Sequence, residues 1–273
     1  MAAQTLSAPD VVMRTRPAEV HDRLDSASLG RLARGEGAVI WHRGYVDAAV
    51  LAPAARAAFE AAGAPRPAGN QPASYGATMA EALWGGADGR DRYLAAAFRE
   101  TRVLRDRVFA PYLSPLDRVR LELDELWPGG AAVARMDGRP MSAGTVRHYV
   151  AGDRMNPHVD GNSGEVLAEL CRECRIAVNI YLDVPPPGAG GELELWNLAL
   201  TPEEANSPPR PGYRLPDELL GDADVVIRPA AGDLVMFDTS RIHAVRAVRE
   251  GTRTTASCFV GVRGPREPLT LFS

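Results

Sequence analysis

A histidine and an aspartate two residues apart, His158 and Asp160, are the residues whose types and spacing first suggest metal chemistry. They follow a predicted strand over residues 145–151 and a Gly-Asp turn. In an extended chain residues i and i+2 lie on the same side, so the imidazole and the carboxylate can point into one space while Val159 packs the other way. A nitrogen donor and an oxygen donor offered together suit a divalent transition metal.

A second histidine, His243, comes just after a later predicted strand, far from Asp160 in sequence. Two histidines and one carboxylate on one metal form a facial triad with open positions, which is diagnostic of non-haem Fe(II) oxygenases. The other histidines are weaker candidates. His21 and His42 lie outside the predicted β region, and His148 has the strand parity to point away from the site.

Arg253 is the third feature, because it lies in a predicted strand with Thr255 and Ser257 on the same face. A guanidinium presents a fork of donors that matches a carboxylate, and hydroxyl groups beside it add further donors. Taken alone, Arg253 would be interpreted as a surface arginine of a strand. Its spacing from His243 favours an anion-binding role. Three other basic residues near these motifs could bind a carboxylate, but solvated surface charges are the preferred interpretation: Arg147, Arg154 and Arg241.

The ordered set of motifs resembles the signature of the Fe(II)/2-oxoglutarate-dependent dioxygenase superfamily, over roughly residues 145–262. His158-x-Asp160 alone is a weak signal, but it is followed in order by His243 and Arg253. The supporting motifs also occur in the family's order: Tyr149-x-x-Gly152, the NIYL stretch at 179–182, the GGELELW stretch at 190–196 and the AGDLVMF stretch at 231–237.

The resemblance implies a mainly β fold with flanking helices (α+β), built as a double-stranded β-helix or jelly roll. It also implies that His158, Asp160 and His243 bind Fe(II). Arg253 would pair with the distal carboxylate of 2-oxoglutarate, and Tyr149 would donate a hydrogen bond to this cosubstrate. Three further residues are candidates for the wall of the cosubstrate site: Thr255, Ser257 and Asn179.

The reaction implied by the resemblance is hydroxylation of an unactivated C–H bond of a small molecule, with O2 as oxidant and succinate and CO2 as products. The substrate would be an amino acid, a specialised metabolite or a carrier-tethered metabolite. Related halogenases have a small residue in place of the acid, so Asp160 favours oxygen transfer over halogenation. Two alternatives stay open. The same iron centre could catalyse desaturation, cyclisation or epimerisation, or the chain could be a non-catalytic metal-binding jelly roll. A protein substrate is also not excluded by the sequence.

Composition limits the other function classes. The chain has 273 residues, of which 45% are hydrophobic and 24% charged, as is usual for a soluble globular protein. A net charge of −4 without a basic stripe argues against nucleic acid as a partner and against a nucleic-acid demethylase. No apolar run approaches the ~20 residues that span a bilayer. The first twenty residues lack a signal-peptide pattern, so we expect a cytoplasmic protein. Three cysteines do not suggest a disulfide framework, and the oligomeric state cannot be inferred.

We predict one catalytic domain over residues 1–273, made of an N-terminal helical support region (1–130) and a jelly-roll core (131–273). The stretch 64–89, rich in Gly, Pro and Ser, is predicted to be mostly loop and is a candidate lid. The Pro-rich insert 198–221 should lie at the mouth or over the surface of the core.

The elements that must position the site follow from periodicity and from turn residues. Helices are predicted at 47–62, 91–110 and 115–126, and Phe98 is expected on the buried side of the second. One strand is predicted in the first half, at 37–41. The core strands are predicted at 131–136, 145–151, 176–183, 191–197, 224–229, 233–237, 242–248 and 252–263.

Overall fold

The computed structural model describes residues 12–62, 71–85, 88–160, 165–201 and 220–273. Its helices are α1 (Ser26–Ala33), α2 (Ala48–Ala62), α3 (Met79–Trp84), α4 (Gly89–Val103), α5 (Pro115–Leu126) and α6 (Glu165–Leu170), and a π-helical turn (Leu104–Val108) continues α4. Its strands are β1 (Val12–Arg14), β2 (Glu19–His21), β3 (Ala38–His42), β4 (Ala73–Tyr75), β5 (Ala131–Val133), β6 (Arg135–Met136), β7 (Arg139–Pro140), β8 (Thr145–Tyr149), β9 (Met155–His158), β10 (Cys174–Asp183), β11 (Leu193–Leu200), β12 (Val225–Ile227), β13 (Leu234–Asp238), β14 (Arg241–Val245), β15 (Arg253–Val262) and β16 (Leu269–Phe272).

Two sheets form the core of the described part of the chain. The larger sheet has the order β2-β3-β13-β10-β15-β16-β5, with β8 paired to β15 and β4 paired to β8. The smaller sheet has the order β1-β11-β14-β9, with β12 paired to β11. Most of these pairs are antiparallel; β2 with β3 and β5 with β16 are parallel. The predicted mainly β jelly roll with flanking helices is confirmed.

The larger sheet is buried on both faces, which explains the nearly continuous apolar sequence of its central strand. In β10, Ile176, Val178 and Ile180 belong to the core cluster that the helices cover. Alternate residues of the same strand, among them Ala177 and Tyr181, belong to a second cluster shared with β11 and β12 of the smaller sheet. The period of two along β10 therefore divides helix-facing residues from residues that face the other sheet.

Helices of the first half cover the outer face of the larger sheet, and local capping residues fix where they begin. The Asp25 carboxylate accepts a hydrogen bond from the Ser28 amide at 2.8 Å, and the Ser28 hydroxyl accepts one from the Asp25 amide at 3.1 Å. Asp47 accepts from the Val50 amide at 3.1 Å ahead of α2, as its sequence position predicts. Pro115 opens α5 over the predicted range.

Several expectations need correction. Residues 1–130 were predicted as a helical region with one strand, but they also contribute the three-residue strands β1, β2 and β4. The stretch 64–89 is not mostly loop where it is described, because it contains β4 and α3. Residues 63–70 and 86–87 lie outside the described ranges.

Two further corrections concern side-chain placement and an element end. Phe98 is 63% exposed on α4, so it is not on the buried side. The predicted insert 198–221 begins too early, since β11 extends to Leu200. Residues 202–219 of that insert lie outside the described ranges. In the described residues, none of the helices combines the length and hydropathy needed to cross a membrane.

Candidate active site

Three side chains from the smaller sheet converge on one point. His158 ends β9 and is the cross-strand partner of His243 in β14, with ring centroids 4.2 Å apart. Asp160 follows two residues later, with carboxylate oxygens 3.9 Å from His158 Nε2 and 3.6 Å from His243 Nε2. One donor atom from each residue lies within 4.8 Å of the others. The sequence motif therefore corresponds to a real cluster of possible metal ligands.

Backbone carbonyls fix the orientation of both imidazole rings. His158 Nδ1 lies 2.7 Å from the Asn156 carbonyl oxygen, and His243 Nδ1 lies 2.8 Å from the Arg241 carbonyl oxygen. An Nδ1–H that donates to a carbonyl leaves Nε2 with its lone pair free, which is the form that coordinates a metal. The Asp160 amide donates to the Thr239 carbonyl at 3.1 Å, which ties the carboxylate to the turn before β14.

The local electrostatics keep the cluster in its metal-binding protonation state. Burial, helped by the neighbouring His158, lowers the pKa of His243 to about 3, so this imidazole is neutral at physiological pH. Burial alone would raise the pKa of the Asp160 carboxyl, but the surrounding positive charge, led by Arg175, holds that pKa below its usual range. A neutral imidazole beside an ionised carboxylate suits a divalent cation.

Arg253 lies on the inner face of the larger sheet and is only 2% exposed. Its guanidinium carbon is 4.7 Å from the ring centroid of Tyr149 and 4.9 Å from that of Tyr181. Nη2 donates to the Tyr181 hydroxyl at 3.3 Å, whereas Nε has no hydrogen-bond partner among the described residues. None of the ion pairs found within the described ranges includes Arg253. A buried guanidinium without an acidic partner is costly, so this position fits an anionic ligand.

The remaining predicted site residues line the same face of the larger sheet. Tyr149 is the cross-strand partner of Arg253 and is 2% exposed. Ser257 Oγ lies 2.9 Å from Asn179 Oδ1 and 3.1 Å from Thr255 Oγ1, so these three polar groups form a connected wall. The residues predicted for the cosubstrate site therefore share the inner face of the larger sheet.

Sequence reasoning missed two side chains of the site, Arg175 and Tyr181. Arg175 is buried on the inner face of β10, with Nε 3.2 Å from Thr239 Oγ1 and the guanidinium over the Phe259 ring at 4.9 Å. Alternation along β10 was the available signal, because Arg175, Asn179 and Tyr181 share one strand face. His148 points to the opposite face of β8 from Tyr149, as predicted, with Nδ1 2.9 Å from Thr254 Oγ1.

None of the three arginines interpreted as surface charges is fully solvated. Arg241 is buried, and it donates to the Asn197 side-chain oxygen at 2.7 Å and to the Arg16 carbonyl at 2.8 Å. It therefore fastens β14 to neighbouring segments. Arg147 is half-buried on the inner face of β8. Arg154, just before β9, is half-buried as well.

Comparisons with known proteins agree with this geometry. Residues 144–261 match the family profile of the 2OG-Fe(II) oxygenase superfamily. An L-gamma-glutamyl-L-propargylglycine hydroxylase from Streptantibioticus cattleyicolor is 31% identical over 154 residues, which are 54% of this chain and 55% of the relative. An L-isoleucine 3(1)-dioxygenase from Pantoea ananatis is 33% identical over 94 residues, which are 33% of this chain and 31% of the relative. The matched part thus spans about half the length of the first relative and less of the second.

A solved structure resembles nearly the whole chain. The N-substituted L-amino acid dioxygenase from Burkholderia ambifaria superposes with a TM-score of 0.56 and 15% identity, covering 96% of this chain and 98% of its own. At this identity the likeness concerns the fold. The profile match, the ordered motifs and the clustered side chains agree on the same stretch: residues 144–261 match the 2OG-Fe(II) oxygenase superfamily.

Proposed function

We propose that this protein is an Fe(II)- and 2-oxoglutarate-dependent oxygenase that hydroxylates a C–H bond of an amino acid or an amino-acid-derived small molecule. The observation that carries the proposal is the convergence of His158, Asp160 and His243 in the smaller sheet, together with a buried Arg253 in the larger sheet that forms no ion pair among the described residues. The similarity to an L-gamma-glutamyl-L-propargylglycine hydroxylase and to an L-isoleucine 3(1)-dioxygenase supports the substrate class.

The donor set fits a ferrous ion. Two neutral imidazole nitrogens and one carboxylate oxygen are the ligand types of the facial triad, and three ligands leave positions for other molecules. We assign His158, Asp160 and His243 as the metal ligands on this basis. When iron is bound, it supplies the chemistry in which O2 oxidises 2-oxoglutarate to succinate and CO2 and inserts its other oxygen atom into a substrate C–H bond.

The larger sheet holds the cosubstrate in this proposal. Arg253 pairs with the distal carboxylate of 2-oxoglutarate, because its guanidinium is buried and lacks an acidic partner among the described residues. Tyr149 packs against that guanidinium and offers a hydroxyl to the cosubstrate. The wall formed by Thr255, Ser257 and Asn179 supplies further polar groups. Apolar side chains pack between the sheets and keep bulk water from that side of the site. Phe237 is one of them, with its ring centroid 4.9 Å from that of His243.

We keep the predicted domain organisation as part of the proposal: one catalytic domain over 1–273, with a support region to residue 130 and a jelly-roll core beyond it. The described part of 64–89 supports its role as a lid, since β4 pairs with β8 directly beside Arg147. The insert 198–221 continues from β11, which is the cross-strand neighbour of His243 in β14. The first segment thus pairs with a strand that carries Tyr149, and the second continues from a strand beside the one that carries His243. A covering element would be needed next to these strands.

Product analysis distinguishes this function from two alternatives that the same site would allow. Desaturation, cyclisation or epimerisation would release succinate without adding an oxygen atom to the substrate. A non-catalytic metal-binding jelly roll, in which Arg253 is structural, would bind a metal and release no succinate with any substrate.

The test combines anaerobic titration of Fe(II) and 2-oxoglutarate with an aerobic panel of amino acids and γ-glutamyl amino acids, scored for succinate and for substrate mass. We expect succinate formation with a mass increase of one oxygen atom in the wild type. Asp160→Ala should weaken iron binding and abolish turnover, whereas Asp106→Ala, at an exposed ion pair on the π-helical turn, should do neither. Normal turnover by Asp160→Ala would remove Asp160 from the ligand set.

A further inference from the structure

Arg147 lies between the residues proposed to hold the cosubstrate and the segment predicted as a lid. It lies in β8 on the same face as Tyr149, and its cross-strand partners are Thr255 in β15 and Ser74 in β4. Thr255 belongs to the polar wall, and β4 belongs to the segment predicted as a lid. The Arg147 side chain therefore projects from the inner face of the larger sheet, between the cosubstrate wall and the lid segment.

This side chain is half-buried, yet within the described ranges it makes no hydrogen bond and no ion pair. Three other arginines are buried, and each contacts another residue of the protein. Arg175 contacts Thr239, and Arg241 contacts Asn197. Arg253 is packed between two tyrosines. A partly desolvated guanidinium without partners is poised to take up a carboxylate, which matches its fork of donors.

Arg147 lies beside the wall proposed to hold the cosubstrate. Its cross-strand partner is Thr255, and Thr255 Oγ1 lies 3.1 Å from Ser257 Oγ, which lies 2.9 Å from Asn179 Oδ1. A ligand on Arg147 would therefore lie next to the cosubstrate. Arg147 is offset by two residues from Tyr149 and Arg253 along the strands, which is roughly 7 Å. An anion on Arg147 and one on Arg253 would occupy different places.

The charges of the assembled site also favour a second anion. A ferrous ion and a 2-oxoglutarate dianion carry equal and opposite charges, so they leave the balance of the protein groups unchanged. Arg147 and Arg253 lie on the same face of the larger sheet, and neither forms an ion pair among the described residues. A positive charge in a partly buried space attracts an anionic group.

We propose that Arg147 binds a free carboxylate of the substrate and so selects carboxylate-bearing molecules, such as α-amino acids, over their neutral derivatives. This inference rests on the proposed function and adds the group of the substrate that is recognised. It assigns to Arg147 a specificity role distinct from the cosubstrate role of Arg253.

The test compares Arg147→Gln with the wild type and with Arg154→Gln, a matched control at a half-buried arginine just before β9. Each protein is loaded with Fe(II) and 2-oxoglutarate without O2. Cosubstrate binding is followed by the visible absorption of the complex. Calorimetry then measures the affinity for each L-α-amino acid of a panel and for its primary amide.

We expect the wild type and Arg154→Gln to bind at least one amino acid roughly tenfold or more tightly than its amide. Arg147→Gln should bind that amino acid about 10- to 100-fold more weakly than the wild type does, because a charge-assisted pair is lost. Its affinities for the amino acid and for the amide should be nearly equal. Its affinity for 2-oxoglutarate should stay within about threefold of the wild type, which also shows that it is folded. In turnover the KM for the amino acid should rise more than kcat falls.

Three results would overturn the inference. The first is an Arg147→Gln protein that still prefers the carboxylate over the amide. The second is a selective loss of 2-oxoglutarate affinity in that variant, which would make Arg147 a cosubstrate anchor. The third is a wild type that binds iron and 2-oxoglutarate but prefers no amino acid over its amide; this leaves the proposed oxygenase function standing. A wild type that fails to bind 2-oxoglutarate overturns the proposed function, and this inference with it.

Discussion

Replacing Arg253 with glutamine should weaken 2-oxoglutarate binding but change the stability of the unliganded protein little. Arg253 is buried and has no acidic partner among the described residues. The guanidinium is 2% exposed, and the described residues provide it with two tyrosine rings and one 3.3 Å hydrogen bond. In the cosubstrate complex its loss leaves a carboxylate without its partner. Truncating one member of a buried charge pair costs roughly 2–5 kcal/mol. We expect about 3 kcal/mol, which is a roughly 150-fold loss of 2-oxoglutarate affinity.

The unliganded protein should respond in the opposite way. Removing a buried charge that has no acidic partner relieves a desolvation cost, which offsets the lost contacts with Tyr149 and Tyr181. We therefore expect the free energy of unfolding of Arg253→Gln without ligand to lie within about 1 kcal/mol of the wild type.

Denaturant unfolding with and without 2-oxoglutarate, at a fixed Mn(II) concentration, measures both effects. At a ligand concentration 100 times the wild-type Kd, binding should stabilise the wild type by about 2.7 kcal/mol and the Arg253→Gln variant by only about 0.3 kcal/mol. Arg246→Gln, which removes an exposed ion pair with Glu194, should behave like the wild type. Equal stabilisation of both proteins by 2-oxoglutarate would refute the assignment. A loss of several kcal/mol in the unliganded variant would show that Arg253 is structural instead.

Two further predictions concern the supports of the site. Gly191 has φ +79°, and a Cβ added there would lie 2.9 Å from a side-chain carbon of Pro185 and 3.4 Å from Arg253 Cδ. Because the added group would press on Arg253, Gly191→Ala should weaken 2-oxoglutarate binding in the same titration. It should also lower the free energy of unfolding by roughly 1–3 kcal/mol. Gly188→Ala, at φ +82° with open space around it, carries the backbone strain alone and should leave binding unchanged; equal losses in both variants would contradict the packing argument. Burial raises the pKa of the Cys258 thiol to about 12, so the unfolded chain loses this proton first as pH rises above about 9. Stability should then fall with rising pH by up to about 1.4 kcal/mol per unit from this group, and the slope measured by urea unfolding should be shallower in Cys258→Ala.

The clustering of His158, Asp160 and His243 and the shared face of Arg253, Thr255 and Ser257 were predictable because they depend on strong local rules. The i, i+2 spacing of His158 and Asp160 works in any extended segment, and the parity of β15 places Arg253, Thr255 and Ser257 on one face. Longer strands such as β10 and β15 were predicted to within a few residues, since their runs of apolar and β-branched residues between turns are long enough to detect.

The short elements were not predictable from local sequence. Strand β9, which carries His158, contains Asn156 and Pro157, two residue types that are depleted in strands, and it is stabilised by its pairing with β14. Strand β4 lies in a stretch rich in Gly and Pro, and it is stabilised by its pairing with β8. Phe98 fits a helical apolar period in sequence, yet α4 turns it toward solvent, because the neighbours of a helix decide which face is covered.

Strand β9 ends the smaller sheet in the described part of the chain, and its position gives the two histidines unequal mechanical support. His243 lies on β14, held on one side by β11 and on the other by β9, whereas His158 lies on a four-residue strand with a neighbour on one side only. Edge segments of this kind open at a smaller free-energy cost than the core does. Detachment of β9 would remove one imidazole from the cluster and leave the other imidazole and the buried arginine in place. Detachment of β9 is therefore the route of lowest free-energy cost by which an ion enters or leaves. A bound ion should in turn stabilise the pairing of β9 with β14.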